Sequence, residues 1–328
     1  MSQQHRVFSG IQPTGALHIG NYVGALRNWV RLQSELESFF CIVDYHAITI
    51  PYDPEEMPAR VFEAAVDVLA CGIDPERSTF FVQSRVPEHT ELCWIFNTLT
   101  SVGALERMTQ FKEKSEQFRE GINAGLFNYP VLQTADILLY KADRVPVGED
   151  QLQHLELSRE IARRFNQRFG ETFPEPEAVL TKAPRLMALN DPTRKMSKSI
   201  PGSYVSLSDD DATIRKKIGR AVTDAGLDSS QMSPGVKNLF TLLGEFGDEA
   251  TVRQFQQAYD SGSLRYSELK PAVAEAVAAA LAPIRARRDE LAAHPEQVCT
   301  ALETGAERAG AIARRTMDEV RQRLGLRA

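Results

Sequence analysis

SGIQPTGALHIGNYVG, residues 9–24, predicts a junction between a β-strand and an α-helix. The sequence RVFSG, residues 6–10, is typical of a short strand, and from Leu17 onward apolar residues recur every three or four positions, as on one face of a helix. A helix that starts after such a Gly- and Pro-rich turn presents free backbone N–H groups to an anion. The stretch therefore predicts either a phosphate site, to which His18 and Asn21 add hydrogen-bonding groups, or simply a tight turn.

The composition is that of an ordinary globular protein. The chain has 328 residues, of which 43% are hydrophobic and 25% are charged. No apolar stretch reaches the roughly 18 residues that a membrane span needs, and the first residues lack the apolar core of a signal peptide. We therefore expect a cytoplasmic protein with no membrane association.

The charge and the cysteines argue against two classes of function. A formal net charge of −6 is unlike that of proteins that coat nucleic acid indiscriminately, although local basic patches could still hold a specific RNA. The four cysteines, at positions 41, 71, 93 and 299, include no Cys-x-x-Cys pair and have no histidine at zinc spacing. We therefore expect neither a disulfide nor a metal site built from cysteines.

The order of predicted elements indicates an α/β fold with a doubly wound parallel sheet of the Rossmann type. Unbroken apolar runs, as expected of strands buried on both faces, alternate with helical patterns through about residue 200. After the first strand, we predict strands at 38–46, 79–84, 143–150 and 185–191. Asp53 and Pro54 predict the start of a helix that ends near Gly72, and another helix is expected from Gln151 to near Gly170.

A change of pattern near residue 200 predicts two domains. Residues 1–203 form the predicted α/β domain, with a mainly helical insertion over about 87–141 lying across an edge of the sheet. Residues 204–328 carry only helical patterns, so we predict an all-helical C-terminal domain. Its last helix carries apolar residues every three or four positions from Val298 to Leu324, which favours packing back on the α/β domain.

A second stretch rich in functional groups is DPTRKMSKS, residues 191–199. It brings two serines together with three cations, Arg194, Lys195 and Lys198. Lysine ammonium groups suit a polyphosphate whose charge grows during a reaction, and a loop can bring them in when a nucleotide binds. The alternative is a solvated basic loop, which would not favour the Met between the lysines.

Two further stretches carry acidic residues where a ligand could bind. In VGEDQLQHLELSRE, residues 147–160, Gly148 could let a ribose approach while a neighbouring carboxylate accepts a hydrogen bond from a sugar hydroxyl. The alternative is a simple helix cap.

In NYPVLQTADILLYK, residues 128–141, Asp136 lies in an apolar run and must find a hydrogen-bond partner. That partner is either an N–H or O–H group of a ligand or an internal group, such as the Tyr129 hydroxyl or a backbone amide.

Together these motifs resemble those of a known enzyme family. The Pro-Thr-Gly-x-x-His-Ile-Gly-Asn stretch and the Lys-Met-Ser-Lys-Ser loop are similar to the two signatures of class I aminoacyl-tRNA synthetases. The flanking sequences resemble the bacterial tryptophanyl-tRNA synthetases in particular, over about residues 6 to 325. These sequences are FSGIQPTGALHIGNYVGAL, CIVDYHAIT, ERMTQFKEKS, YPVLQTADILLY, VPVGEDQLQHLELSREIARRFN and DPTRKMSKS.

The resemblance implies a two-step reaction. The carboxylate of L-tryptophan attacks the α-phosphorus of ATP to give tryptophanyl-adenylate and pyrophosphate, and the tryptophanyl group then passes to the terminal ribose of tRNA(Trp). ATP is thus a substrate, accompanied by Mg²⁺ with few dedicated protein ligands. The family also implies a homodimer whose C-terminal helical domain holds the tRNA; Arg215, Lys216 and Lys217 are candidates for that contact by composition only.

The resemblance also implies roles for individual residues. The implied catalytic residues are His18, Lys195 and Lys198, which would stabilise the phosphates and the departing pyrophosphate. The implied ATP site further contains Gln12, Pro13, Thr14, Gly20, Asn21, Gly148, Glu149, Asp150, Leu186, Met196, Ser197 and Ser199. The implied tryptophan site contains Phe8 against the ring, Asp136 as acceptor of the indole N–H, Gln133, and Tyr129 with Gln151 at the ammonium group. More distant phosphate contacts are implied for Lys112 and Lys114.

One departure from the family and three alternatives stay open. Many relatives carry Met where this chain has Gln133, which affects the contacts expected at the ammonium group. A tyrosyl-tRNA synthetase shares the fold and both signatures, and a phenol O–H would suit Asp136 equally well, but the bacterial type usually carries a further C-terminal domain. A small-molecule adenylyltransferase would not need the lysine-rich loop, and a catalytically idle paralogue would not need His18 or the lysines.

Overall fold

A computed structural model describes residues 5–108, 123–180, 183–198, 200–223 and 232–326. Within these ranges the chain forms a five-stranded parallel sheet in the order β3-β2-β1-β4-β5. The strands are β1 (Arg6–Ile11), β2 (Glu37–Ile42), β3 (Thr79–Val82), β4 (Arg144–Val147) and β5 (Glu177–Leu180). A doubly wound sheet of this order confirms the predicted Rossmann-type α/β fold.

Helices make up most of the remaining described chain. Before β5 they are α1 (Ile19–Asn21), α2 (Arg27–Leu32), α3 (Asp44–Ala47), α4 (Met57–Ala70), α5 (Glu88–Asn97), α6 (Val102–Glu106), α7 (Ala124–Leu139) and α8 (Leu152–Phe169). A π-helical turn, Tyr22–Leu26, joins α1 to α2, and 3₁₀ turns span Gln83–Arg85 and Glu149–Gln151. After β5 follow α9 (Asp211–Gly219), α10 (Pro234–Phe246), α11 (Glu249–Asp260), α12 (Tyr266–Ala293) and α13 (Pro295–Leu324). None of the helices in the described ranges is both long and apolar enough to cross a membrane.

The sheet is buried on both faces, which explains the unbroken apolar runs of its central strands. On one face Trp29 of α2 stacks on Phe40 of β2, with ring centroids 4.6 Å apart, and α4 belongs to the same apolar core. On the other face Phe39 and Phe81 share a second core with α5 and α7. Successive strand residues therefore enter opposite layers, each with its own core.

The strand order reverses between β1 and β4, and the two strands are paired only at one end. β1 pairs with β2 along its whole length, from Arg6 with Glu37 to Ile11 with Ile42, whereas it pairs with β4 at a single position. That position joins β1 to Arg144, the first residue of β4. In open parallel sheets, ligands bind in the crevice beyond the carboxyl ends of the strands at such a reversal.

The prediction of a strand at 185–191 is wrong. This stretch folds back on the lysine-rich loop instead, since the Leu186 carbonyl accepts the Met196 N–H at 3.1 Å and the Ala188 N–H donates to the Arg194 carbonyl at 2.8 Å. Its apolar residues are therefore buried outside the sheet. The last strand is β5, whose sequence EAVL lies partly exposed at the edge of the sheet and carries only a weak strand signal.

Other boundaries also differ from the predictions. Within 87–141, α7 packs against α5 and the central strand β1, so it lies on a face of the sheet and not across its edge. The helix expected from Asp53 begins at Met57, because the Asp53 carboxylate caps only the turn before it. β2 ends at Ile42, since the short helix α3 begins at Asp44.

The last helix, α13, packs closely against the outer strand β3. A Cβ atom at Gly305 would lie 1.8 Å from the Phe80 carbonyl oxygen, so only glycine permits this approach. Buried side chains extend the contact along α13 and include Val298, Ala309, Ala313, Met317 and Val320. The helix thereby covers a strand that would otherwise be an exposed sheet edge.

Gly305→Ala should therefore destabilise the fold, because α13 must move away from β3 to admit the methyl group. We expect a loss of about 1–3 kcal/mol in the free energy of unfolding, the usual cost of overpacking. Gly244→Ala in α10 is the matched control, since a Cβ there meets nothing within 4 Å. It should gain about 0.5–1 kcal/mol through higher helix propensity. Urea unfolding measures both, and equal stability of the two variants would contradict the close contact.

Candidate active site

A cavity of about 380 Å³ opens at the carboxyl ends of β1 and β4, where the strand order reverses. Its size lies in the range of small-molecule sites. The predicted tryptophan-site residues all line it, together with two residues predicted for ATP; these are Phe8, Tyr129, Gln133, Asp136 and Gln151, with Gln12 and Gly148. The structure therefore brings together residues from β1, α7 and the turn after β4.

The charged group of this cavity is the Asp136 carboxylate on α7. Asp136 is only 1% exposed, yet it accepts three hydrogen bonds of 2.7 Å. His89 Nδ1 and Gln83 Nε2 contact Oδ1, and His46 Nε2 contacts Oδ2. Since Oδ2 has one of these donors and Oδ1 has two, a further N–H donor is best accommodated on Oδ2.

The surroundings of Asp136 also determine its charge. Burial alone would raise its pKa, but His46 and His89, through their charge and their hydrogen bonds, lower the pKa to about 2. The carboxylate is therefore ionised at neutral pH. In that form it can only accept hydrogen bonds, so it selects ligand groups that donate.

The sequence predicts none of the three partners of Asp136. They come from α3, α5 and the turn after β3, between 47 and 90 residues away along the chain. The Tyr129 hydroxyl, the internal partner considered above, instead bonds His154 Nε2 at 2.8 Å. Of the three, only His46 could have been suspected from the sequence, because it is a polar residue at the end of an apolar run. Asp44, two residues before His46, has a structural role, because its carboxylate accepts the backbone N–H of Ser84 at 3.0 Å from the turn after β3.

The rest of the cavity wall combines aromatic and amide groups. Phe8 of β1 is 3% exposed and stacks on Tyr140, with ring centroids 5.7 Å apart. Three half-buried glutamines, Gln12, Gln133 and Gln151, provide both donors and acceptors at the wall. A planar apolar group with one N–H donor and a polar end fits this combination of groups.

The turn before α1 fixes the orientation of the His18 ring. His18 Nδ1 accepts the Gly20 N–H at 3.0 Å, and Asn21 Oδ1 accepts the His18 N–H at 3.1 Å. Because Nδ1 is an acceptor, the proton of the neutral ring lies on Nε2, which can donate to a ligand. A Cβ at Gly20 would lie 2.8 Å from His18 Cε1, so glycine is needed there.

Burial and two nearby lysines keep His18 neutral. Burial, followed by the positive charges of Lys198 and Lys195, lowers the pKa of His18 to about 4. Lys198 Nζ donates to the Gly15 carbonyl at 2.9 Å, which places this cation at the same turn. Burial also lowers the pKa of Lys198, to about 8, although the Asp67 carboxylate acts in the opposite direction. Lys198 is therefore still mainly a cation at pH 7.

The buried side chain of Met196 holds the lysine-rich loop against the apolar core. Its side chain is 3% exposed and belongs to the same apolar core as Leu186. The Ser197 carbonyl accepts the Ser203 hydroxyl at 2.5 Å, which ties the loop to the chain that follows it. The methionine thus anchors the loop while Lys195 stays exposed, which a simple solvated loop does not explain.

The remaining predicted residues lie around these groups or cannot be placed. Pro13 is buried and Thr14 is exposed in the turn before α1, and Glu149 is exposed after β4. Outside the described part of the chain lie Ser199, Lys112 and Lys114, together with the side chain of Asp150. Among the described residues, no group of three or more His, Cys, Asp or Glu is arranged to hold a metal ion.

Comparison with known proteins identifies relatives over nearly the whole chain. The family model of class I tRNA synthetases (W and Y) matches residues 1–282. A tryptophan–tRNA ligase from Gloeobacter violaceus is 48% identical over 326 residues, which are 98% of this chain and 96% of the relative. A tryptophan–tRNA ligase from Caldanaerobacter subterraneus is 46% identical and covers 98% of both chains.

Two solved structures that are similar to this chain are tryptophanyl-tRNA synthetases as well. Tryptophanyl-tRNA synthetase from Campylobacter jejuni, complexed with ADP and tryptophan, has a TM-score of 0.84 and 36% identity over 98% of this chain and 99% of that one. The enzyme from Mycoplasma pneumoniae has a TM-score of 0.86 and 33% identity over 98% of both chains. The chain therefore belongs to the class I tRNA synthetases, and within them to the bacterial type of tryptophanyl-tRNA synthetase.

Proposed function

We propose that this chain joins L-tryptophan to tRNA(Trp) in an ATP-dependent reaction. The observation that carries the proposal is the ionised, acceptor-only Asp136 in an apolar cavity at the end of β1, next to the His18 turn that follows the same strand. The relatives named tryptophan–tRNA ligase support it, at 43–48% identity over nearly the full length.

The cavity suits the side chain of tryptophan. The indole ring would lie against Phe8, with its N–H donating to Asp136 Oδ2, since that nitrogen is a donor only. The ammonium group would meet the Tyr129 hydroxyl and the Gln151 amide. Gln133, where many relatives carry Met, adds an amide to this polar end and thereby changes how the ammonium group is solvated.

The first step needs positioning and charge stabilisation more than proton transfer. A carboxylate oxygen of tryptophan attacks the α-phosphorus of ATP, and the bond from that phosphorus to the bridging oxygen breaks, so that pyrophosphate leaves with the electron pair. The attacking carboxylate is already ionised, and no general base is required. His18 Nε2 would donate to a phosphate oxygen, while Lys195 and Lys198 would neutralise the charge that grows on the leaving group.

The second step transfers the amino acid to RNA. A hydroxyl of the terminal ribose of tRNA(Trp) attacks the tryptophanyl carbonyl carbon, and AMP leaves. Adenosine would lie between the turn before α1 and the turn after β4, in contact with Gln12, Pro13, Thr14, Gly20, Asn21, Gly148, Glu149, Asp150 and Leu186. Met196, Ser197 and Ser199 would shape the loop at the phosphates. Mg²⁺ would arrive bound to ATP, since it is commonly held by substrate phosphates together with water.

We propose that the helical domain, residues 204–328, binds the tRNA. Residues 1–203 would then form the catalytic domain. Lys216 is exposed on α9 and is the best placed of the three basic candidates. Arg215 and Lys217 are already engaged in ion pairs, with Glu275 and Asp209 respectively. We also propose a cytoplasmic location, which suits an enzyme that charges tRNA.

ATP–pyrophosphate exchange, measured with each amino acid in turn and without tRNA, tests the proposed function. We expect exchange with tryptophan and none with tyrosine or phenylalanine. Exchange with tyrosine would keep the proposed phosphate site but overturn the proposed pocket. A folded protein that exchanges with no amino acid in the presence of Mg²⁺ would instead be an idle paralogue.

The role of His18 as a neutral donor predicts a specific pH dependence of stability. The pKa of His18 is about 4 in the folded chain and 6.5 when unperturbed, so between these values the unfolded state binds the extra proton. The free energy of unfolding should therefore fall as the pH drops from 6.5 to 4, with a His18 contribution of up to about 1.4 kcal/mol per pH unit. His18→Asn should reduce this slope in urea unfolding, and the exposed control His294→Asn should not. Equal slopes for His18→Asn and the wild type would contradict the assignment.

We also propose a homodimer that uses the exposed apolar side chains of consecutive helices. Trp94 of α5 is 71% exposed and Val102 of α6 is 62% exposed, which is unusual for such large apolar groups. Trp94→Glu should therefore shift the protein to monomers in sedimentation velocity. Leu180→Glu, at an exposed leucine of β5, is the matched control and should remain dimeric. A dimer that is unaffected by Trp94→Glu would exclude this surface.

A further inference from the structure

Asp67 is a buried carboxylate that the proposed reaction does not use. It lies near the C-terminal end of α4 between the buried residues Val66 and Val68, and its side chain is only 3% exposed. Oδ2 accepts the backbone N–H of Leu17 at 3.1 Å, and Oδ1 accepts from Arg288 Nε. A carboxylate in such apolar surroundings needs donors of this kind, because burying it without partners would cost several kcal/mol.

The Leu17 N–H belongs to the turn that leads into His18. Three other hydrogen bonds hold this turn from the segment after the lysine-rich loop. The Leu207 N–H and the Ser206 hydroxyl donate to the Leu17 carbonyl at 2.9 and 3.3 Å, and the Ile19 N–H donates to the Val205 carbonyl at 3.0 Å. Asp67 adds an attachment from a different direction, since α4 lies in the helical layer against the sheet. The backbone just before the His18 ring is thus held by a charged side chain.

Arg288 extends this link to the helices that follow residue 204. Its guanidinium, on α12, is 15% exposed and also donates from Nη2 to Glu63 Oε2 at 2.8 Å. Glu63 and Asp67 lie four residues apart on α4, so one guanidinium joins α12 to two successive turns of that helix. Burial raises the pKa of Asp67, while Arg288 and the Leu17 N–H act in the opposite direction. Loss of Arg288 would therefore leave a poorer acceptor for the Leu17 N–H.

We propose that Asp67 and Arg288 are positioning residues for the ATP side of the reaction. Through the Leu17 backbone they keep His18 in place opposite Lys198, and they make that placement depend on the docking of α12. The inference rests on the proposed function. Because neither residue lines the cavity that contains Asp136, the pair should affect the use of ATP and leave tryptophan binding unchanged.

The experiment compares ATP–pyrophosphate exchange and tryptophan affinity in the wild type, Asp67→Asn, Arg288→Gln and the double variant. Each single change should lower kcat/KM for ATP by about 10-fold or more, since it breaks a buried charge-assisted hydrogen bond. The tryptophan Kd should change by less than about twofold. The double variant should be little worse than the poorer single variant, because both act on one link. Arg288→Lys retains the charge and should recover part of the loss.

Glu275→Gln is the matched control, because it breaks an exposed ion pair between α12 and α9 that does not touch the turn. It should leave both constants unchanged. Arg288→Gln with a wild-type kcat/KM for ATP and normal tryptophan binding would overturn the proposal. The comparison of Arg288→Gln with Arg288→Lys decides the outcome even where Asp67→Asn does not fold. A wild type that shows no exchange would overturn the proposed function itself and this role with it.

Discussion

The site depends on the partial pairing of β1 with β4, which is limited to Val7 and Arg144. Because β1 stays paired with β2 to its end, the gap beyond Arg144 opens on one side only and becomes the cavity. The carboxyl end of β1 also leads directly into the turn that carries His18. One strand therefore places a cavity for an amino acid and a turn suited to phosphates beside each other, which a reaction between the two substrates requires.

Charge is distributed so that each end of the site matches one substrate. The imidazoles of His46 and His89 stabilise the ionised Asp136, which makes the cavity an acceptor. At the turn, burial and, after it, the positive charges of Lys198 and Lys195 lower the pKa of His18 and favour its neutral form. A neutral imidazole with its proton on Nε2 adds a hydrogen-bond donor to a cluster that is already cationic. The same lysines are proposed to neutralise the phosphates of ATP, and their charge adds to burial in keeping His18 neutral.

The features that could be predicted from the sequence are those that depend on residues close together along the chain. The buried strands within 38–46 and 79–84 were predictable, because burial on both faces requires unbroken apolar runs. The strand predicted at 185–191 failed because the same signal arises where a loop, and not a sheet, buries the chain. The residues lining the cavity were predicted by resemblance to a family. Partners such as His89 and Arg288 could not be, since their roles depend on residues 47 and 221 positions away.

The affinity for tryptophan analogues, measured by titration calorimetry, tests most directly whether Asp136 recognises the ring. If it does, its carboxylate must accept a hydrogen bond from the indole N–H. An analogue in which sulfur replaces that N–H keeps the shape of the ring and should bind about 10- to 100-fold more weakly, because it leaves a buried carboxylate with one donor fewer. Equal affinity for tryptophan and this analogue would contradict the account, since Asp136 would then have no part in recognising the ring.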